Sequence, residues 1–210
     1  MPDGRRVVLN RFTGSLRVLS DGQEWIEHSD LVIRDLNTGQ TDVAFRGAPF
    51  SGDNTQAVAS PDGTQLAFQR TTSPLGEPAS STAVFVVGVD GEDLQRITPW
   101  ALDAGDHADW SPDGQWILFR SNESGNFLNS QLYVVHPDGS ALHPVTHLSA
   151  DTLLLSASFS PDGQRIVYAQ SGFTGQPDIF TVAVDGTDRS QVTRNPKWDS
   201  APDWGPESDH

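Results

Sequence analysis

The apolar residues of this chain occur in short blocks separated by turn residues. Runs such as "QLAFQR", "QWILFR" and "QRIVYA" are β-branched or aromatic and apolar on both faces. A strand has this pattern when its sheet packs between two other layers. No window of useful length shows a helical period with caps. The pattern therefore predicts an all-β protein made of short strands.

The blocks recur as four similar units. The Pro-Asp-Gly turns that open the units begin at Pro2, Pro61, Pro112 and Pro161, and the differences between these positions are 59, 51 and 49 residues. Proline presets the turn backbone, and glycine takes a left-handed position that other residues resist. After each turn comes an apolar run, a second glycine turn and a short run that ends in Thr or Phe, as in "VFVVGVDGEDLQRIT". Each unit is therefore predicted to hold four strands, a to d.

Four-stranded antiparallel units of about 50 residues are typical of propeller blades. A β-sandwich is the alternative, but its strands do not repeat one turn chemistry at a fixed interval. The predicted blades comprise residues 1–50 with a closing strand at 200–205, then 56–99, 106–147 and 155–195.

The turn "SPDG", the apolar strand after it, the "VDG" turn and the "RIT"-like ending resemble the TolB-type (PD40, WD40-like) β-propeller repeat. This resemblance implies a propeller, often extracytoplasmic in bacteria, that serves as a scaffold for protein contacts. Related propellers also accompany the catalytic domains of prolyl-oligopeptidase-like peptidases. The family's ring usually has six blades, whereas this chain supplies four units.

The two ends of the chain look complementary. "MPDGRR" starts with a turn that lacks a preceding strand, and "APDWGP" aligns with strand a of the other units. Because an unpaired sheet edge invites association, we expect the last strand to pair beside residues 5–10 and close a monomeric four-blade ring. The alternatives are a fragment of a longer propeller, or two four-blade arcs that join.

The net charge of −15 argues against nucleic acid or an anionic membrane as the partner, because both require a basic surface. It permits basic protein partners and divalent cations. The chain has no cysteine and no apolar run long enough to span a membrane, and its start does not resemble a secretory signal. Only the family resemblance indicates a periplasmic or extracytoplasmic location.

The candidate binding residues lie on strand a, the innermost strand of a blade. Its middle position reads Val58, Asp109, Ser158 and Asp203 in successive units. In a closed four-blade ring, Asp109 and Asp203 would face each other across the channel, where they offer oxygen ligands for Ca²⁺.

Further acidic residues are expected in the loops that enter strand a, around one mouth of the channel. These residues are Asp53, Asp103, Asp106, Asp151 and Asp199. They could bind Ca²⁺ or a partner's basic group, or they could be solvated residues that stabilise their own turns. His107, between two aspartates, could do acid–base work or form an ordinary loop hydrogen bond. Trp25 lies in a long segment that is either a binding loop or a longer hairpin.

The chain contains none of the usual motifs of serine hydrolases, zinc proteases or nucleotide-binding enzymes. We therefore expect a non-catalytic scaffold that binds a protein or peptide through one face or the acidic mouth. The alternatives are the propeller part of a hydrolase or lyase, either peptidase-associated or metal-dependent, and a module that binds sugar or another small ligand.

Overall fold

A computed structural model describes residues 1–19, 22–47, 53–72, 81–122, 129–172 and 175–204. These residues form four antiparallel sheets in chain order, one of three strands and three of four strands. The first sheet contains β1 (Arg6–Leu19), β2 (Gly22–Asp35) and β3 (Thr41–Phe45). The second contains β4 (Asp53–Ala59), β5 (Gln65–Thr72), β6 (Ser81–Gly88) and β7 (Gln95–Arg96).

The third and fourth sheets follow the same order. A 3₁₀ turn at Trp100–Leu102 leads into β8 (Ala104–Trp110), β9 (Ile117–Asn122), β10 (Ser130–Val135) and β11 (His143–Pro144). The fourth sheet contains β12 (Thr152–Phe159), β13 (Arg165–Gly172), β14 (Asp178–Ala183) and β15 (Ser190–Gln191). The all-β prediction with repeated antiparallel sheets is confirmed.

The core lies between consecutive sheets. One apolar cluster joins the first and second sheets around Phe68, a second joins the second and third around Phe119, and a third joins the third and fourth around Tyr168. These three aromatic side chains are fully buried. Both faces of the central strands are therefore covered, which explains why their sequences are apolar on both sides.

The Pro-Asp-Gly turns have the chemistry that their sequence predicts. In the second turn, Asp62 accepts hydrogen bonds from the Ser60 hydroxyl at 2.6 Å and from the Thr64 N–H at 3.0 Å. Gly63 has a φ of +73°, in the region that favours glycine. The turns also stack from sheet to sheet, because a Cβ built on Gly63 would lie 3.2 Å from a side-chain carbon of Pro2.

The threonine that ends each of the last three units has a structural role. The hydroxyl oxygens of Thr98, Thr146 and Thr193 each accept a backbone N–H from the third strand of their own sheet, at 2.9 Å in all three cases. Because the short fourth strand makes few ladder bonds, this side chain extends the pairing beyond it.

The innermost strands β4, β8 and β12 each contain a register shift in the same region, and pairing resumes at Val58, Asp109 and Ala157, the last of which lies one position earlier in its unit. These shifts are β-bulges, which insert extra residues and bend the strand. They lengthen the inner strands at their start. Asp53 and Asp106 consequently lie within strands, and not in loops as the sequence predicts.

The predicted closing strand is not confirmed. Within the described part of the chain, β1 pairs with β2 alone and residues 201–204 lie outside any strand. Ala201 has a φ of +54°, which interrupts an extended backbone, and the Asp203 carboxylate accepts the Trp204 N–H that a sheet would need.

The first unit forms a long hairpin. β1 and β2 stay in register from Arg6 opposite Asp35 to Leu19 opposite Gly22. The backbone of Trp25 lies opposite Leu16 in this ladder, so the longer hairpin is the alternative that the structure supports. The side chain of Trp25 lies outside the described part.

Candidate functional site

The inner strands bring the backbone and side chains of neighbouring sheets together. Asp109 lies opposite Leu118 in the β8–β9 ladder, so both side chains project from the face that packs against the fourth sheet. One carboxylate oxygen of Asp109 accepts the backbone N–H of Phe159, on the neighbouring inner strand β12, at 3.0 Å. The next residue, Trp110, points the opposite way and donates its indole N–H to the carbonyl of Val58 on β4 at 3.3 Å.

Burial raises the pKa of Asp109 above that of an ordinary aspartate, since low polarity disfavours the charged form. The backbone N–H groups of Phe159 and Trp110 act in the opposite direction, and the negative charge of Asp203 adds to the increase. Asp109 makes no ion pair with any residue that the structure describes. Its carboxylate is therefore a partly buried charge without a compensating cation there.

Asp203 lies near enough to Asp109 for their charges to interact, because its negative charge contributes to the raised pKa of Asp109. In the residue after Asp203, the indole nitrogen of Trp204 is buried without a hydrogen-bond partner among the described residues. The hydroxyl oxygen of Ser158 is also buried without such a partner. Whether Asp109 and Asp203 face each other across a channel stays a prediction.

A cleft of about 350 Å³ opens beside Asp109. Its lining joins the N-terminal turn to the inner strands and consists of Met1, Pro2, Val8, Ala57, Val58, Ala59, Ser60, Pro61, Asp109 and Trp110. Trp110 borders this cleft, although it is not among the candidate binding residues predicted from the sequence. The signal that could have found it is the adjacent aspartate.

The acidic residues expected at the channel mouth have different surroundings. Asp103 accepts both the N–H and the hydroxyl of Thr82, at 3.0 and 2.9 Å, so it fastens the turn before β8 to the second sheet. Asp199 accepts the side-chain N–H of Asn195 at 2.5 Å. Asp151 is exposed and has a φ of +74°. Asp103 and Asp199 thus have hydrogen-bond partners within the chain, and the predicted binding role of these acidic residues stays a prediction.

The side chains of Asp53, Asp106 and His107 lie outside the described part of the structure, so their predicted roles stay predictions. Among the side chains that are described, no group of three or more His, Asp or Glu residues is arranged to hold a metal ion. No described helix is long and apolar enough to cross a membrane.

Repeated antiparallel sheets packed face to face, with one inner strand each and stacked turns, define the class of β-propeller proteins. Residues 25–172 match the family model described as the TolB beta propeller domain (PD40). The chain belongs to this family.

Three relatives illustrate the range of proteins that share this fold. A curated TolB homologue from Chlorobium luteolum is 28% identical over 188 residues, which cover 85% of this chain and 40% of the relative. A solved structure of a putative TolB from Agrobacterium tumefaciens is 20% identical, with a TM-score of 0.61 and coverage of 93% of this chain and 72% of that one. A solved oligogalacturonate lyase in complex with manganese is 16% identical, with a TM-score of 0.62 and coverage of 85% and 52%.

The chain thus spans 40% of the curated TolB homologue and about half of the lyase. Its solved neighbours include both a TolB protein and an enzyme, and at these identities the likeness shows the fold alone.

Proposed function

We propose that this chain is a non-catalytic, TolB-like propeller scaffold that binds a protein or peptide and receives a basic group of its partner at Asp109. One observation carries the proposal. Asp109 is a partly buried carboxylate on an inner strand, it borders a cleft, and no described residue forms an ion pair with it.

A buried charge is costly unless it is paired, and a second negative charge nearby increases that cost. A lysine or arginine from a partner would relieve both effects and add charge-assisted hydrogen bonds. The net charge of −15 would also steer basic partners towards the surface at low salt.

The experiment is a calorimetric titration with an arginine-rich peptide and with the same peptide carrying glutamate in place of arginine. We expect the basic peptide alone to bind, and Asp109→Asn to weaken binding about tenfold or more, with a smaller effect for Asp203→Asn. Asp93→Asn is the matched control, because it removes the same charge from an exposed turn with a φ of +56°, which asparagine tolerates. Equal affinities for the Asp109 variant and the control would reject this site.

Two other functions can be separated from the first by further titrations. Calcium bound between Asp109 and Asp203, alone or as part of a metal-dependent lyase or hydrolase, should raise the melting temperature in Ca²⁺ or Mn²⁺ and lower it in EDTA. A neutral sugar or other small ligand could enter the cleft of about 350 Å³ and would then bind equally well to Asp109→Asn. A melting temperature that no cation changes would remove the metal-dependent alternative.

The likeness to TolB proteins also supports the proposal of a periplasmic or other extracytoplasmic location. Fractionation of bacterial cells that express the full-length gene tests it, and recovery of the protein only in the cytoplasm would refute it.

A further inference from the structure

The fourth sheet differs from the second and third at two positions that lie in contact. Five residues after the glycine of its Pro-Asp-Gly turn it has Tyr168, where the other two sheets have phenylalanine. Three residues after the glycine that separates its last two strands it has Arg189, where the other two have leucine. The counterparts are Phe68 and Phe119, and Leu94 and Leu142. Because the other two sheets form without a hydroxyl and a cation at these positions, the repeated fold does not require them.

The Arg189 side chain is held in one orientation by its neighbours. Its Nε–H donates to the phenol oxygen of Tyr168 at 2.6 Å, and an N–H of Nη2 donates to the side-chain oxygen of Gln170 at 2.7 Å. The guanidinium carbon also lies 4.3 Å from the centroid of the Phe180 ring, which is a cation–π contact. Since Arg189 is nevertheless exposed, its guanidinium is both oriented and accessible to a ligand.

The positive charge of Arg189 is not neutralised within the described part of the chain. None of the ion pairs between described residues includes Arg189, and its Nη1 nitrogen has no acceptor among them. The nearest acidic residues along the chain and across the sheet have other partners. The Asp188 carboxylate pairs with Arg165 at 2.6 Å, and the Asp178 carboxylate accepts the side-chain N–H of Gln191 at 2.9 Å. An unpaired guanidinium stands out in a chain with 28 acidic and 13 basic residues.

This guanidinium borders a cleft of about 380 Å³ between the third and fourth sheets. The fourth sheet contributes Arg189 and Gln170 to its lining, and the segment after β11 contributes His147, Leu148 and Ser149. Neutral imidazole and hydroxyl groups can each donate a hydrogen bond to an anion. A volume of this size lies within the range of small-molecule sites, at its lower end.

The wall formed by the third sheet is held in place by a buried side chain. Gln131 on β10 is 8% exposed, and its side-chain oxygen accepts the N–H of Leu148 and the hydroxyl of Thr146, both at 2.9 Å. Its side-chain N–H donates to the carbonyl of Leu148 at 2.9 Å. His147 therefore lies between two fixed residues, and its own side chain is exposed.

We propose that this cleft binds a small molecule through a carboxylate group, with Arg189 as its anchor and His147 and Ser149 as further donors. A guanidinium forms strong charge-assisted hydrogen bonds with a carboxylate, and the apolar side chains of Val145 and Leu148 in the lining suit a carbon skeleton. A doubly charged anion such as phosphate is disfavoured, because one guanidinium would face it and the acidic residues nearby would repel it.

This site is separate from the one at Asp109. The two clefts share no lining residue, and they would take ligands of opposite charge. Loss of binding at one of them is therefore distinguishable from loss at the other.

The test is a titration followed by nuclear magnetic resonance of the methyl groups of Val145 and Leu148, which line the cleft. Sodium benzoate is the probe, benzamide is the uncharged control of nearly the same shape, and inorganic phosphate is the more highly charged one. We expect benzoate to shift these signals to saturation with a dissociation constant of about 1–10 mM. We expect benzamide to bind at least about tenfold more weakly, and phosphate to bind more weakly than benzoate.

Two variants copy the residues that the other sheets carry. Arg189→Leu should weaken benzoate binding at least about tenfold, because it removes the anchoring charge. Arg194→Leu is the matched control, since it removes the same charge from an exposed residue of the same sheet and should leave the affinity unchanged. Tyr168→Phe removes only the hydroxyl that positions the guanidinium and should weaken binding about threefold.

Urea unfolding of each variant shows whether it is folded. Equal affinities for benzoate and benzamide, or equal affinities of folded Arg189→Leu and Arg194→Leu for benzoate, would overturn the proposal. Tighter binding of phosphate than of benzoate would reject a carboxylate as the ligand group. An unchanged affinity in Tyr168→Phe would reject the positioning role of its hydroxyl.

Discussion

Replacement of Asn54 by alanine should destabilise the protein strongly, and more than replacement of Asn10 at the same interface. Asn54 is fully buried at the start of β4. Its side-chain N–H donates to the carbonyl of Ser29 at 2.8 Å, and its side-chain oxygen accepts the N–H of Arg70 at 2.8 Å. It therefore connects the first sheet to the second.

The expected magnitude follows from the two groups that alanine would leave unpaired. A buried carbonyl without a partner costs about 1–3 kcal/mol, and a lost hydrogen bond to a charged group costs about 1.5–3 kcal/mol. Together the loss is about 2.5–6 kcal/mol, a large part of the total stability of about 5–15 kcal/mol that is usual for a domain.

Urea unfolding, followed by tryptophan fluorescence, measures this loss. Asn10→Ala is the comparison, because the Asn10 side chain makes a single bond, of 2.8 Å, to the carbonyl of Asn54, and its removal should cost only about 1 kcal/mol. If Asn54→Ala lost no more stability than Asn10→Ala, the reasoning about unpaired groups at this interface would be wrong.

Three further predictions concern the repeated features. Thr146→Val leaves a buried strand N–H unpaired and should lower the free energy of unfolding by about 1–3 kcal/mol in urea; a loss below about 0.5 kcal/mol would contradict the role of this hydroxyl. Hydrogen bonds, chiefly from Arg5, lower the pKa of Asp35 from 3.8 to about 2, so the stabilisation that this carboxylate provides is present above pH 3.8 and is lost as the pH falls towards 2. Asp35→Asn should therefore flatten the pH dependence of the urea midpoint between pH 3.8 and 2. An unchanged pH profile in this variant would count against the role of Asp35. Gly91→Ala would place a Cβ 2.5 Å from a carbonyl oxygen of the preceding sheet and should cost about 1–3 kcal/mol more than Gly4→Ala, which has a positive φ but no such neighbour; equal melting temperatures would refute this difference.

The features that sequence reasoning predicted correctly are local ones. The Ser111–Pro112–Asp113–Gly114 segment specifies its own turn, because the bonds that form it join residues at most five positions apart. The same holds for the recurrence of antiparallel sheets along the chain, since each unit carries its own turn signals.

The features that it missed depend on distances between sheets. The partner of Asp109 is a backbone N–H 50 residues away, and backbone groups leave no trace in a sequence pattern. The bulges in the strands that contain Asp53 and Asp106 also cannot be recognised from the sequence, since the extra residue of a bulge can be of any type. The closing strand is not confirmed for a related reason: the likeness of "APDW" to an inner strand does not reveal the left-handed backbone at Ala201.

The stacking of the turns has a consequence for how such a chain can change in length. Proline of one turn packs on glycine of the next at three successive interfaces, so each contact depends on the type of residue at a repeat position and not on its individual neighbour. A duplicated stretch of about one unit, inserted between the second and third sheets, would meet a matching surface on both sides. We therefore expect these turn contacts to tolerate the gain or loss of a whole unit better than an insertion of half a unit, which would put the next turn out of step with the one before it.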